Sequence, residues 1–397
     1  MLFIFRKMPD IEGGVLDMNA NRYRFLLCRS QAMTACAAIL TAGFLFFTAG
    51  TGVSIPWQEE PEISGAAQVF PGEQWERITD PSSVRYSEQG LEKVREYVQT
   101  IDTTGLLVVV EGKVLFEYGD LEQLSYLASV RKSVLSILYG KYVTDGTIRL
   151  TATLEELGIT DIEGLLPVEK KATVDHLITA RSGIYHPASN SGDSTASAPP
   201  RGSQQPGDYF LYNNWDFNCA GFIFEQLTHQ TIYDALERDL AYPLGMQDFD
   251  RLSQHKSGNL RRSRYPAYHI WLSTRDMARI GYLMLRGGEW NGRRVVPAGW
   301  VRKIRRIKTP LEEMNPEPFR RGHFGYGYMW WIWDGPEAVG AYQGAYTASG
   351  AYGQYITILP ALDMVIAHKT AVPPRNRQVN RSQYEGIIDR LIAARIE

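Results

Sequence analysis

Ser129 and Lys132 stand three residues apart at the start of the apolar run from Leu127 to Tyr139. Val130, Val134, Ile137 and Leu138 recur at helical spacing, Lys141 adds charge near the far end, and Asp145-Gly146 supplies a stop. On such a helix Ser129 sits in the first turn, with Lys132 one turn along on the same face. A serine hydroxyl is a weak nucleophile until a base takes its proton, and a lysine is that base only when its amine is neutral. Apolar packing and the positive end of a helix both disfavour the ammonium form. The same helix end offers a backbone N–H to a developing oxyanion. The competing reading is a helix-capping serine beside a surface lysine. A second match to this spacing, Ser253 and Lys256, lies in a polar stretch and reads as loop.

A second constellation is Tyr212-Asn213-Asn214. Of 22 tyrosines, Tyr212 alone has an asparagine two residues on. Alone, the pair reads as a turn tyrosine with an asparagine cap. S-x-x-K followed by Y-x-N resembles the serine β-lactamase and penicillin-binding-protein superfamily, and within it the branch of class C β-lactamases, esterases and D-amino-acid peptidases. The resemblance covers roughly residues 85 to 397. It implies Ser129 as nucleophile, Lys132 and Tyr212 as partners in proton transfer, and Asn214 as a side-chain donor to the lysine or the substrate.

The superfamily's third motif is K-T-G or H-x-G. Here the corresponding stretch runs from Ala348 to Gln354, and its G-x-x-G-Q run is similar to that of many relatives, oligo-amide hydrolases among them. Ala348 stands where Lys or His would, so no cation is offered to a substrate carboxylate at that spot. Gly350 still permits close backbone approach, and the resemblance implies the Ala351 N–H as second oxyanion donor. Lys369-Thr370-Ala371 is a decoy, one strand too late and lacking the glycine. The lost cation argues against an efficient β-lactamase and suits ester, amide or peptide chemistry on neutral groups. Three readings follow: a serine hydrolase working through a Ser129 acyl-enzyme on a small-molecule or peptide-like substrate, an exported non-catalytic binding protein on the same fold, or a β-lactamase or D,D-peptidase.

The elements that must position these residues are legible in outline. Leu91, Val94 and Val98 mark a short helix. Two apolar runs, 105–110 and 113–118, flank Glu111-Gly112 as a hairpin. Residues 150–270 read as a mostly helical lobe, with helices near 173–178, 216–228 and 232–240. The Ser/Pro/Gly-rich run 186–208 reads as a lid or mobile rim. Ser273 caps another helix, and a basic helix near 298–308 reads as a solvated face. Tyr185 and the Trp330, Trp331 and Trp333 cluster are candidates to line a cleft. Strands return over 324–333, 352–360 and 364–369, and a closing helix covers 383–394. The expected fold is α/β of the α+β type: one antiparallel sheet flanked by helices, with the helical lobe inserted. The resemblance makes that fold β-lactamase/transpeptidase-like.

The 397 residues are 44% hydrophobic, enough for a large core, and a formal net charge of −2 gives no global field for nucleic acid. Three cysteines make no disulfide framework, and Cys219 reads as a buried small residue. The seven histidines show no ligand spacing, so no metal and no cofactor is expected. Arg22, Arg24 and Arg29 precede an apolar stretch over 32–48 and small residues at 49–52, the order of a secretory signal. An uncleaved anchor is the alternative, and membrane attachment is expected only there. Met18 is a candidate start. The expected organisation is a signal segment at 1–52, a Pro/Glu/Gly-rich linker at 53–85 and the catalytic-type domain at 86–397, with periplasmic or secreted location.

Overall fold

A computed structural model of the chain describes residues 68–373 and 376–396. The signal segment expected at 1–52, and residues 53–67 of the expected linker, lie outside them. The rest of that linker, 68–85, is instead part of the folded body. Trp75 is buried, the Tyr282 hydroxyl donates to the Val69 carbonyl at 2.6 Å, and Arg279 donates to the Gly72 carbonyl at 2.8 Å. Phe70 packs edge-on against Tyr282 and Trp290, each at 5.5 Å. These few aromatic contacts outweigh the polar composition that suggested a linker.

Ser87 accepts from the Gly90 N–H and starts α1 (Glu88–Val98), which turns Leu91, Val94 and Val98 inward. β1 (Gly105–Val110) and β2 (Lys113–Gly119) form the expected hairpin. Glu111 and Gly112 both have positive φ, as a two-residue turn between twisted strands requires. β3 (Ser125–Tyr126) leads into α2 (Val130–Thr144). The inserted lobe holds α3 (Val174–Ile178), α4 (Asn214–Thr228), α5 (Ile232–Leu236), a π turn over Glu237–Ala241, α6 (Tyr242–Leu244) and the hairpin of β4 (His255–Ser257) with β5 (Ala267–His269). β6 (Trp271–Leu272) then pairs with β3. α7 (Thr274–Leu285), the small hairpin β7 (Glu289–Trp290) and β8 (Arg293–Arg294), and α8 (Ala298–Ile304) return to the body. α8 ends before the last charges of the basic stretch, and Lys308 pairs with Asp175 at 3.2 Å. β9 (Phe324–Tyr326), β10 (Trp331–Trp333), β11 (Tyr346–Gly350), β12 (Gln354–Leu359), β13 (Met364–Lys369) and α9 (Arg381–Ala393) complete the fold.

Seven strands form one antiparallel sheet in the order β2-β1-β13-β12-β11-β10-β9. β1 is a continuous apolar run because both its faces are covered. Side chains alternate across β12: Ile356 meets α7 at Gly281, while Tyr355 stacks on Tyr384 of α9 at 4.0 Å. Helices α2 and α7 therefore lie on one face and α9, with α1 against it, on the other. This is the expected antiparallel sheet flanked by helices, with the lobe inserted between α2 and α7. α2 is apolar nearly all round because it is buried nearly all round, wedged between the sheet and α4. Ser133 and Ser136 donate to the Met329 and Tyr328 carbonyls, both at 2.7 Å, which locks the helix to the β9–β10 turn.

Candidate active site

The segment ahead of α2 is held from both sides. β3 pairs with β6, and the Leu127 N–H donates to the Ile270 carbonyl at 2.9 Å. The chain then turns through Ala128, whose φ of 49° is a left-handed conformation that an alanine adopts only under constraint. Ser129 follows at the N-cap of α2, yet its hydroxyl makes no cap hydrogen bond. Lys132 Nζ donates to Ser129 Oγ at 2.9 Å instead. The capping-serine reading is thereby set aside, and so is the surface lysine, since Lys132 is only 1% exposed.

Lys132 Nζ also donates to the Tyr212 hydroxyl at 2.7 Å. The three groups anticipated to meet, Ser129, Lys132 and Tyr212, meet. Lys132 lies 4.4 Å from the Tyr212 ring centroid and 4.8 Å from that of Phe217 in α4. Burial holds the Lys132 amine well below the ordinary lysine range, the neighbouring Arg131 lowers it further, and the Asp193 carboxylate opposes both. Burial pushes the Tyr212 phenol up to about 12, against the pull of Ser129 and Arg131. The ring is fixed by Phe217, Trp331 and Tyr326 at 5.0, 5.5 and 6.0 Å. A free amine bonded to a serine hydroxyl and a neutral phenol can accept the serine proton and pass it on.

Among the described residues Asn214 makes no hydrogen bond to Lys132. Its Nδ2 donates to the Ser191 carbonyl at 3.0 Å, and its backbone N–H to Asp193 Oδ2 at 2.9 Å. It is the first residue of α4, and its Nδ2 and backbone N–H both bond the loop before it, while its Oδ1 is buried without a partner. Part of the run read as a lid or mobile rim is tied down. The Ser194 N–H donates to the Tyr212 carbonyl at 2.9 Å, Ser189 Oγ to the Tyr265 carbonyl at 2.7 Å, and Asn218 Nδ2 to Asn190 Oδ1 at 2.8 Å. These bonds tie 189–194 to the Tyr212 turn and to α4. Asp193 is the residue that sequence reasoning missed. It is the lone acid between 187 and 207, the one signal that marked it.

The far wall is β11. A Cβ on Gly350 would lie 2.6 Å from the Leu127 carbonyl oxygen and 3.0 Å from the Ser129 nitrogen, so only glycine lets the strand approach the nucleophile turn this closely. Ala351 follows, exposed, at the start of the turn to β12. Ala348 is fully buried, on the same strand face as Gly350. Lys369 is on β13, two strands away, donating to the carbonyls of Ser125 (3.1 Å) and Leu272. Ser253 and Lys256 are likewise outside the site, with Ser253 on Asp250 and Lys256 paired with Glu225. Of the aromatic candidates, Trp331 reaches the Tyr212 ring, whereas Trp330 packs in the core against Tyr346 and Trp333 stacks on Tyr342.

A family model described as Beta-lactamase matches residues 92–384. The chain belongs to the beta-lactamase family. Among curated proteins it is similar to the 6-aminohexanoate-dimer hydrolase of Paenarthrobacter ureafaciens, 24% identical over 301 residues, covering 68% of this chain and 73% of that one. Among solved structures it resembles a family VIII carboxylesterase, with a TM-score of 0.57 and 12% identity over 81% of this chain and 99% of the other. A penicillin-binding-protein homologue from Caulobacter crescentus superposes with a TM-score of 0.56 and 14% identity, covering 78% of this chain and 98% of that one. At these identities the structural likeness is one of fold, and the beta-lactamase family fold is the one that the strand order and inserted lobe describe.

Proposed function

We propose that this protein is a serine hydrolase that cleaves an ester or amide through a Ser129 acyl-enzyme. The observation that carries the reading is the buried Lys132 amine, hydrogen-bonded at once to Ser129 Oγ (2.9 Å) and the Tyr212 hydroxyl (2.7 Å). Ser129 Oγ attacks the carbonyl carbon while its proton passes to the Lys132–Tyr212 pair. The N–H groups of Ser129 and Ala351 hold the oxyanion, beside the close approach of Gly350 to the Ser129 turn. The pair then returns the proton to the departing alcohol or amine. Water, deprotonated by the same pair, releases the acid and restores Ser129.

The buried Ala348 favours neutral substrates over those that need a cation for a carboxylate. Similarity to a 6-aminohexanoate-dimer hydrolase and a carboxylesterase supports amide or ester bonds in a small-molecule or peptide-like substrate. Asn214 acts by fixing the Ser191–Asp193 stretch. We further propose export through the N-terminal segment, to be tested by N-terminal sequencing of the protein from periplasm or medium.

The decisive experiment is covalent. Incubation with a fluorophosphonate should add one label, mapped by mass spectrometry to Ser129, and Ser129→Ala should abolish it. Absence of the label, or equal labelling of Ser129→Ala, would overturn the reading. Acylation by a labelled penicillin as fast as by the fluorophosphonate would move the substrate class to β-lactams.

A further inference from the structure

The helical turn that carries Ser129 and Lys132 holds a second cation that the chemistry above does not use. Arg131 is only 2% exposed. Its Nη2 donates to Asn218 Oδ1 at 2.9 Å, and its guanidinium carbon lies 4.3 Å from the Tyr268 ring centroid. Nη1 is buried without a hydrogen-bond partner, and among the described residues no carboxylate lies within ion-pair distance. Burying a charge without a counter-ion is costly, and an apolar side chain would fill the same space without that penalty. A guanidinium cannot shed its proton, whereas the amine of Lys132, the next residue of α2 and likewise buried, can. Of two cations buried within one helical turn, the one able to become neutral is the one that does so.

We propose that Arg131 is a positioning residue, a fixed buried charge whose task is to hold the adjacent Lys132 in its free-amine, basic form. The proposal rests on the reading of Ser129 as nucleophile. Few titratable groups compete for control of that amine. Ser129 and Arg131 approach it from α2, Tyr212 from the turn into α4, and Asp193 from the 189–194 loop, while Tyr126 of β3 acts on Tyr212. Among the described residues, Asp193 is the group that opposes Arg131. Its oxygens are already engaged, one by the Asn214 N–H and the other by the Thr195 N–H and hydroxyl. Asp216, further into α4, is driven toward its neutral acid by burial. Burial is the largest influence depressing Lys132 and Arg131 the second.

A purely structural role would run through Asn218, which passes the Arg131 contact on to Asn190 in the loop. The test separates the two. Fluorophosphonate labelling at Ser129 is followed as a second-order rate against pH, which reads the basic form of Lys132 without a known substrate. Arg131→Met should move the acid limb of that profile up by about one pH unit or more, roughly tenfold slower labelling at a fixed pH below the limb, with the alkaline plateau kept. Arg131→Lys should fall between Met and wild type. Asn218→Ala, which cuts the structural link and leaves the charge, should keep the wild-type limb. If Arg131→Met does not fold, Arg131→Gln, which keeps a donor for Asn218, carries the same expectation. An unmoved limb in the neutral variants, or an equal movement in Asn218→Ala, would overturn the proposal. Nitrogen-15 NMR titration of the Lys132 amine, assigned with Lys132→Arg, gives a second readout independent of labelling. The midpoint should rise in the neutral variants, and an unchanged midpoint refutes the role. Failure of wild-type labelling would sink the hydrolase reading alone and leave the NMR comparison to decide on Arg131.

Discussion

Gly350→Ala puts one methyl group between β11 and the nucleophile turn. An ideal Cβ there would stand 2.6 Å from the Leu127 oxygen, 3.0 Å from the Ser129 nitrogen and 3.1 Å from Gln354 Cβ. Ordinary contact begins near 3.4 Å, so strand and turn must part by roughly 0.8 Å. Two of the three obstacles are backbone atoms, which cannot rotate aside. A displacement on that scale moves Ser129 against whatever β11 contributes to the oxyanion, and misplacement by about 1 Å costs on the order of 10²-fold in rate. Overpacking of the same site costs about 1–3 kcal/mol of stability. The two effects are measured apart, by kcat on a p-nitrophenyl ester and by calorimetric Tm. The expected result is a fall in kcat of about 10²-fold in a folded protein with a modestly lower Tm. A variant turning over within about threefold of wild type would refute the assignment of β11 as the wall of the reaction site.

Three other outcomes follow from the same geometry. Tyr212→Phe keeps the ring packing against Phe217 and Trp331 and removes only the hydroxyl that Lys132 bonds, so turnover should drop by about 10²–10⁴-fold, as should that of Lys132→Ala, with near-native circular dichroism in both; full activity in either removes that residue from the mechanism. Asp193→Asn removes the charge that raises Lys132, so the acid limb of the rate profile should move to lower pH, opposite in direction to Arg131→Met; movement upward would refute the assignment. His368 is buried with Thr103 Oγ1 at 2.9 Å and the Gly353 carbonyl at 2.8 Å on its two nitrogens, and burial lowers it to about 4. The unfolded histidine takes its proton near pH 6.5 and the folded one resists until about 4, so stability should fall as pH drops through that window, by roughly 3 kcal/mol, and not further below it. Denaturant melts at successive pH values should show this slope flattened in His368→Gln, and an identical slope would exclude His368 as its source.

What could be read in advance was what the chain encodes locally. The α2 pattern, the Glu111-Gly112 turn and the cap at Ser273 are set by neighbours within a few residues, and each forms as expected. The meeting of Lys132 with Tyr212, 80 residues apart, was anticipated only through family resemblance, because no local period encodes it. The misreadings have the same origin. Composition reads 186–208 as a lid or mobile rim, but Ser189 and Asn190 within it are held by distant partners, Tyr265 and Asn218, invisible in the loop's own sequence. Asn214 was assigned by motif, and its amide went to the Ser191 carbonyl once the loop folded over it. Residues 68–85 looked like a linker because the anchors, the Val69 carbonyl and the Phe70 and Trp75 rings, are too few to move a composition average.

The pairing of β1 with β13 has a consequence for when this protein can act. Gly105 lies opposite Lys369, and Val110 opposite Met364, so the strand that begins the sheet waits for nearly the last one before its second edge is covered. The β11 wall reaches β1 only through β12 and β13. A ribosome delivers the serine, the amine and the phenol long before any surface exists to hold them in register. Three side chains are thus made early and wait for the late strands β12 and β13, whose pairing completes the sheet that carries the β11 wall.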